Sequence, residues 1–381
     1  MTLAGYRRLV PLVLLLLGLG ACQSGPSNPL ASVVPGAEKS PETPPVGNVT
    51  LQLAAPLEPV LDLAVVAFDP GVGESTDAER VFPTVRKAES LMMPVMLSRT
   101  LEASGAFPLV RVVHDRNISL PLVLTGEIRN ADGAELELHL RLRAADGEVL
   151  LDRSYRDLAQ PSDYPVAPGA EPFADLYHAV SNDVLRAAQA LPPERRAELQ
   201  RLALMDFGVQ MAPDTFSRFV DTGAEGRRRV VGFPAAGDPM LTRLQRIRRQ
   251  DELFVDTVDE QYSDLYDRVA ESYALWREYS FELQRYGDSY REEAQDRKRN
   301  ARRGTYAAMQ QVYASYRKVK IQEEDLRDLV AGFAGESLET VLEVDDGVIR
   351  LQGSVDERYE QWRRIMERIY GLETGVPDGA R

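Results

Sequence analysis

The stretch ELELHLRLRAADGEVLLDRSY, residues 135–155, decides the fold of the region around it. From Glu135 to Arg143 leucine occupies every second position and a polar or charged residue occupies each position between. A period of two predicts a β-strand that buries one face. The Asp146-Gly147 pair that follows is a typical hairpin turn, and VLLDRSY is the expected partner strand. We therefore expect an antiparallel hairpin in a half-buried sheet.

The sequence before this hairpin predicts the rest of a small α/β domain. A helix is expected from Phe82 to Ala103, with Pro94 as a kink and Gly105 as its end. Three short apolar segments predict further strands: LDLAVVAFDPG (61–71), FPLVRVV (107–113) and LPLVLTGEI (120–128). The order strand, helix and four strands predicts a helix packed on a mixed sheet.

This order of elements resembles a known domain family. The segments LAVVAFDPG, LEASGAFPLVRVV, LVLTGEI and LHLRLRAADGEVL are similar to the N-terminal domain of the Tol-Pal protein TolB. The same architecture is found in the curli secretion lipoprotein and in lipoprotein activators of penicillin-binding proteins. The resemblance covers about 100 residues and implies an interaction or assembly module of the periplasm. It implies no catalytic residues.

Nothing in the sequence favours an enzyme or a cofactor-binding protein. The three histidines, His114, His139 and His178, lack the spacing of a metal site, and we expect no metal. His139 is expected to face solvent from a strand. The chain has one cysteine, and no glycine-rich phosphate loop or nucleophile elbow is found. We expect no catalytic residues and no cofactor.

The middle of the chain is predicted to be helical. Residues 172–190 and 194–208 have helical periodicity, with prolines between them. Arg227, Arg228 and Arg229 form a run of three arginines in an expected turn. Such a run is typical of local counter-charges or a strand edge in an acidic protein, and the alternative is a site for phosphate or lipid headgroups.

The most unusual feature is a heptad-like series of aromatic residues between 239 and 335. Spacings of three and four predict the seam of a coiled coil or a long helical hairpin, with its tip at residues 297–304 and a second arm at 305–332. The candidate partner-binding residues of this seam are Tyr262, Tyr266, Tyr273, Trp276, Tyr279, Tyr286 and Tyr290. Two interpretations stay open: the seam is an internal core, or it is a docking surface for another protein or for glycan.

The C-terminal residues predict one more small unit. Asp345, Asp346 and Gly347 lie between two apolar segments, which predicts a β-hairpin. Ser354 and Glu357 have the spacing of a capping box at the start of a helix. The apolar face of that helix includes Trp362 and Met366.

The cellular location is predicted mainly from the position of the cysteine. Arg7 and Arg8 precede an apolar run from Leu9 to Leu19, which is typical of a secretory signal and too short for a conventional membrane-spanning helix. The four residues Leu19-Gly20-Ala21-Cys22 resemble the bacterial lipobox. The resemblance implies that Cys22 carries diacylglycerol and becomes the first residue of the mature chain. The alternative is a plain secretory signal with an incidental cysteine.

Composition and charge support a location in the cell envelope. From residue 23 to Pro59 prolines recur among Gly, Ser and Ala, which predicts an extended tether. Loss of Arg7 and Arg8 takes the formal net charge from −14 to −16, so binding to nucleic acid is not expected. Gln23 and Ser24 follow the cysteine without an aspartate, and we therefore expect the periplasmic face of the outer membrane.

Together these patterns predict an α+β lipoprotein of a Gram-negative envelope. Its expected segments are 1–21 (lipoprotein signal peptide), 22–59 (proline-rich tether), 60–160 (TolB N-terminal-like domain), 170–238 (helical middle region), 239–335 (long helical hairpin) and 336–381 (β-hairpin plus helix). The expected partners are the membrane, through lipid on Cys22, and periplasmic or outer-membrane proteins, with self-association as a further option. The expected role is an interaction or assembly scaffold. The alternatives are an auxiliary lipoprotein of lipid transport and a regulator of cell-wall synthesis, with a hydrolase bound to cell-wall glycan as the enzyme alternative.

Overall fold

A five-stranded mixed sheet organises the N-terminal part of the chain in the computed structural model. Its strands are β1 (Leu63–Val66), β2 (Val110–Val113), β3 (Leu122–Ala131), β4 (Glu135–Ala144) and β5 (Val149–Leu158). Their order across the sheet is β2-β1-β3-β4-β5. β1 pairs in parallel with β2 and with β3, whereas β3, β4 and β5 form an antiparallel meander. The predicted hairpin of residues 135–155 is confirmed, and Leu138 and Leu140 have no exposed surface.

The structure describes residues 43–72, 83–114, 118–223, 225–300, 340–344, 347–352 and 355–374. All of them belong to one compact unit, Thr43–Arg381. Cys22, the first part of the expected tether, the second arm of the expected hairpin and Ser354 lie outside the described residues.

Six α-helices occur within the described ranges, so the chain is a mixture of α and β structure, consistent with the predicted α+β class. They are α1 (Pro83–Ala103), α2 (Ala174–Gln189), α3 (Pro193–Met211), α4 (Pro213–Phe216), α5 (Pro239–Asn300) and α6 (Val355–Thr374). Two small antiparallel pairs complete the description: β6 (Val220–Thr222) with β7 (Arg228–Val230), and β8 (Thr340–Val344) with β9 (Gly347–Leu351). The likeness to the TolB domain remains an expectation.

Helix α1 joins two apolar cores because it is buried on both faces. Met93 and Leu97 belong to the core between α1, α2 and the sheet. Val85, Met92 and Val95 belong to a second core, which also contains side chains of α3, α5 and α6. A helix that is apolar on nearly all sides is stable only where neighbours cover all of it. The N-terminal domain therefore shares its central helix with the rest of the chain.

Two predicted boundaries differ from the observed structure. Residues 43–59, expected to be part of a free tether, lie against the folded body: the amide of Val46 donates to the carbonyl of Arg156 in β5 at 2.8 Å, and the amide of Ala54 donates to the carbonyl of Ser104, just after α1, at 2.8 Å. Extended, proline-containing backbone is compatible with pairing at the open edge of β5. Helix α2, expected in a separate middle region, packs on the sheet and joins its core.

No helix in the described ranges combines the length and the hydropathy needed to cross a membrane.

Candidate functional site on helix α5

Helix α5 carries all seven candidate partner-binding residues. It has 62 residues, which corresponds to a length of about 93 Å. Its first two thirds pack along the body of the protein, and its last described contacts with other elements involve Ser280 and Phe281. Residues 282–300 continue the helix for about 28 Å.

The structure buries the described part of the aromatic seam. The exposed fractions are 2% for Tyr262, 5% for Tyr273, 3% for Trp276 and 9% for Tyr279, and Tyr266 is half-buried. Tyr286 and Tyr290 lie on the helix backbone, but their side chains are outside the described part of the structure. A partner could reach the buried rings only if α5 separated from the body.

The seam contacts the N-terminal domain. The hydroxyl of Tyr273 donates to Oε1 of Glu89 on α1 at 3.0 Å. The guanidinium of Arg99, also on α1, lies 4.8 Å from the ring centre of Tyr266. These contacts support the interpretation of the seam as an internal core, and within the described residues α1 supplies a surface that covers it.

Two carboxylates of α5 cover the open edge of the sheet at β2. Asp256 accepts from Nε of Arg111 at 2.6 Å, and Asp259 accepts from the amide of Val112 at 2.8 Å. An edge strand exposes unpaired backbone groups, and a side chain that accepts from one of them satisfies it. Burial raises the pKa of Asp259 to about 6, although the bond from Val112 lowers it. Helix α5 therefore closes this edge of the sheet.

A buried ion pair lies where α1 meets the seam. Nε of Arg86 is 3.2 Å from Oε2 of Glu89, and the two side chains are 5% and 1% exposed. Burial raises the pKa of Glu89 to about 7, whereas Arg86 and the hydrogen bond from Tyr273 lower it. A carboxyl group held in an apolar environment gains a proton near neutral pH because its charged form is poorly solvated.

A second buried ion pair holds α5 to the segment before α2. Arg277 pairs with the carboxylate of Glu171, and its guanidinium lies 4.9 Å from the ring of Phe173 and 5.0 Å from that of Tyr273. Gly133, in the turn between β3 and β4, has a φ of +76°, and a Cβ there would collide with the backbone of Arg277. The glycine therefore permits the close approach of α5 to this turn.

The space between these groups is too small for a ligand. The cavity lined by Glu89, Met93, Tyr177, Tyr273 and Arg277 has a volume of about 10 Å³. A cavity of this volume holds at most one water molecule. No group of three or more potential metal ligands is found within the described ranges. The polar contacts described here hold α5 against α1 and against the segment before α2.

The C-terminal helix adds a third contact with α5. Trp362 has no exposed surface, stacks on Phe254 with ring centres 5.4 Å apart, and donates from Nε1 to Asp251 at 3.3 Å. Burial raises the pKa of Asp251. The amphipathic helix predicted from the sequence is thus present, and its apolar face lies on α5.

The run of three arginines and the histidines have local structural partners. Arg227 pairs with Asp146, Arg228 with Asp206 and Arg229 with Asp221. These pairs support the interpretation of the run as counter-charges. His139 is part-exposed on β4, as expected, with its Nε2 2.9 Å from Asp152.

Two features of this region were not predicted from the sequence. One is the buried pair Arg86–Glu89, which stands out because both charges lie among apolar residues of α1. The other is an open groove of about 740 Å³ at the start of α5, lined by Arg243, Arg246 and Arg249. The sequence RLQRIRRQ could have predicted this groove, because its arginines at steps of three residues share one helix face.

Comparison with known proteins assigns no family to the chain. No protein-family model matches it, and no curated protein matches it either.

Proposed function

We propose that this protein is an outer-membrane lipoprotein, anchored through Cys22, that acts through protein contacts on the periplasmic side of the envelope. The observation that carries the proposal is Leu19-Gly20-Ala21-Cys22 directly after an apolar run, because the cysteine is the only one in the chain. Two or three acyl chains hold a protein at a membrane far more firmly than one.

Helix α5 supports the interaction part of the proposal. Its tyrosine face is occupied by α1, whereas its opposite face is exposed and carries charges of both signs. A long helix with one face fixed in the body presents the other face to partners at a defined angle.

The packing of the sheet favours protein contacts over lipid carriage. An auxiliary lipoprotein of lipid transport needs an apolar groove in the N-terminal domain. The apolar face of the sheet is instead filled by side chains of α1 and α2, among them Leu97, Val180 and Val184, none of which has any exposed surface. An acyl chain would have to displace this packing.

Replacing Cys22 by serine is expected to abolish acylation and to remove the protein from the outer-membrane fraction, because the thiol is the attachment point. The measurement is incorporation of an alkyne-tagged fatty acid, combined with fractionation of the envelope. Ser24→Ala is the matched control, since it alters the same segment but leaves the thiol in place. Persistent fatty-acid labelling of Cys22→Ser would contradict the anchor.

The same strains test the interaction part. In-cell crosslinking with mass spectrometry is expected to join the wild-type protein to other envelope proteins or to a second copy, and to lose these products in Cys22→Ser cells. Absence of any intermolecular crosslink from the anchored protein would count against a scaffold.

A further inference from the structure

Residues 43–54, here called the strap, lie over β5 and α2 without forming a helix or a strand of their own. The half-buried residues of the strap recur at steps of two and three, and they are Thr43, Val46, Val49, Leu51 and Ala54. The residues between them are exposed. A segment of this kind cannot pair its own backbone groups, so it depends on the body of the protein for hydrogen bonds.

One face of α2 binds the middle of the strap. Asp175, His178 and Asn182 follow one another at steps of three and four, so their side chains share that face. The amide of Val49 donates to Oδ1 of Asp175 at 2.9 Å. The carbonyl of Val49 accepts from Nδ1 of His178 at 2.9 Å. Both backbone groups of one strap residue are thus held by α2.

Asn182 binds the strap through both ends of its amide. Its Oδ1 accepts from the backbone amide of Gln52 at 2.7 Å, and its Nδ2 donates to the carbonyl of Thr50 at 2.9 Å. All of these bonds join α2 to the backbone of the strap. Helix α2 therefore recognises a peptide backbone, with little use of the peptide's polar side chains.

The strap is attached lightly enough to leave as a unit. Every residue of it keeps part of its surface in solvent, and Val46 and Ala54 pack against the core from outside. The next residue that is buried is Leu57, and Ala55 and Pro56 before it are exposed. A segment with few buried apolar contacts opens locally at a small expense of free energy. Ala55 and Pro56 are therefore suited to act as a hinge.

An uncharged surface surrounds this hinge. The amides of Ala54 and Leu57 donate to the carbonyls of Ser104 and Ala106 at 2.8 and 3.3 Å, so the hinge lies beside the segment that follows α1. The exposed apolar residues of the two segments are here called the hinge patch, and they are Leu53, Ala55, Pro56, Ala103, Pro108 and Leu109.

The two segments of the hinge patch contain little charge. Between residues 53 and 60 and between residues 102 and 109 the charged residues are Glu58 and Glu102. Glu102 is engaged, because its Oε1 accepts from the amide of Val110 at 3.1 Å. An exposed surface that is depleted of charge is typical of the centre of a protein interface.

We infer that the strap exchanges between two copies of this chain. The strap of each copy leaves its own α2 and binds α2 of the second copy, and the two hinge patches meet across a two-fold axis. Reciprocal exchange keeps every bond of the strap, because each α2 is again occupied. A peptide from another protein would displace the strap and forfeit those bonds. The second copy is therefore the occupant that fits this site with the smallest loss of free energy.

The hinge patches alone add new contacts, which sets the expected affinity. The bonds of the strap are the same before and after exchange, and a contact of the size of the hinge patch belongs to the weak class of interfaces. A formal net charge of −14 also makes the copies repel each other. Anchoring both copies in one membrane raises their effective concentration. Only this last effect rests on the proposed function, because the exchange itself needs no lipid.

Cysteine crosslinking between two variants tests the exchange. Oγ1 of Thr43 donates to Oε1 of Glu137 at 2.9 Å, so cysteines at these two positions lie within reach of a short bismaleimide. Thr43→Cys and Glu137→Cys are prepared as separate whole chains in the Cys22→Ser background, which holds no other thiol. The two are mixed and incubated at about 100 μM, where even a weak dimer is populated. We expect a linked pair with one chain of each kind, identified by mass spectrometry of the joined peptides.

Two controls make the result decisive. The double variant T43C/E137C is expected to link within one chain in dilute solution. A mixture of Thr43→Cys with Leu275→Cys measures random collision, since Leu275 is 52% exposed on α5. A 43–137 product between chains that does not exceed the collision control, while the double variant links normally, would overturn the inference. Failure of the double variant to link would also overturn it, because the strap would then not be docked.

Leu109→Glu tests the hinge patch separately. Two-fold pairing brings the two new carboxylates together, so the product between chains is expected to fall at least about tenfold, whereas the link within the double variant is unchanged. Leu109 is 38% exposed, so the fold should persist. Leu275→Glu is the matched control and should leave both products unchanged.

Full yield of the product between chains in the presence of Leu109→Glu would contradict the contact of the hinge patches. Because Cys22 is absent from all of these chains, failure here leaves the test of the lipid anchor untouched.

Discussion

Replacing Trp276 by alanine is expected to lower the free energy of unfolding by about 3–5 kcal/mol. The indole is 3% exposed and stacks on Tyr273 with ring centres 6.0 Å apart. It belongs to the core shared with Val85 and Met92 of α1, so its loss leaves a cavity between α5 and the N-terminal domain. Equilibrium unfolding in urea measures the change.

The neighbouring residue provides the control for this substitution. Leu275 is 52% exposed, so Leu275→Ala is expected to change stability by no more than about 0.5 kcal/mol. Alanine and leucine are both good helix formers, and the comparison isolates burial from helix propensity. Similar losses in the two variants would show that the seam is not buried in solution.

The protein is expected to be more stable at pH 5 than at pH 8, by about 2.5 kcal/mol from Glu89 alone. Burial raises the pKa of Glu89 from 4.5 to about 7. Between these two values the folded state binds a proton that the unfolded state does not. The stabilisation is therefore fully present below pH 4.5 and is lost as the pH rises through 7. Burial also raises the pKa of Asp157 and Asp206 to about 6, which adds a contribution of the same sign.

Glu89→Gln separates this contribution from the others. The amide of glutamine remains neutral at every pH and still accepts the hydrogen bond from Tyr273. The variant is therefore expected to have the same free energy of unfolding as the wild type near pH 5 and a higher one at pH 8. Glu282→Gln, at an exposed position of α5, is the control and should leave the pH dependence unchanged. Identical pH profiles for the wild type and Glu89→Gln would contradict the assignment. Urea unfolding across this pH range is the measurement.

The local elements were predictable from the sequence because their signals are local. Alternating leucines in β4, the Asp146-Gly147 turn and the apolar face around Trp362 each need only a few consecutive residues. The observed strands and helices lie close to the expected positions. The three arginines at 227–229 were also predicted correctly as counter-charges, since carboxylates are abundant in this chain. Their placement in a turn was wrong for Arg228 and Arg229, which lie in β7.

The arrangement of these elements was not predictable in the same way. The seam of α5 predicts a partner surface, but its periodicity cannot say which element supplies it, and the structure gives α1. The ion pair between Arg277 and Glu171 joins residues that are distant in sequence, so no local pattern reveals it. Likewise, the docking of Pro45 and Val46 depends on an open sheet edge at β5 that only the folded chain creates.

Hydroxyl-radical footprinting of the wild-type protein tests most directly whether α5 keeps its aromatic seam inside and its opposite face in solvent. At equal exposure the indole of tryptophan reacts with the radical faster than the phenyl ring of phenylalanine. A tryptophan that is oxidised more slowly than a phenylalanine must therefore be buried. We predict that Trp276 and Tyr273 are oxidised more slowly than Phe233, which is 41% exposed. Oxidation of Trp276 faster than Phe233 would contradict the account, and the seam would again be the docking surface.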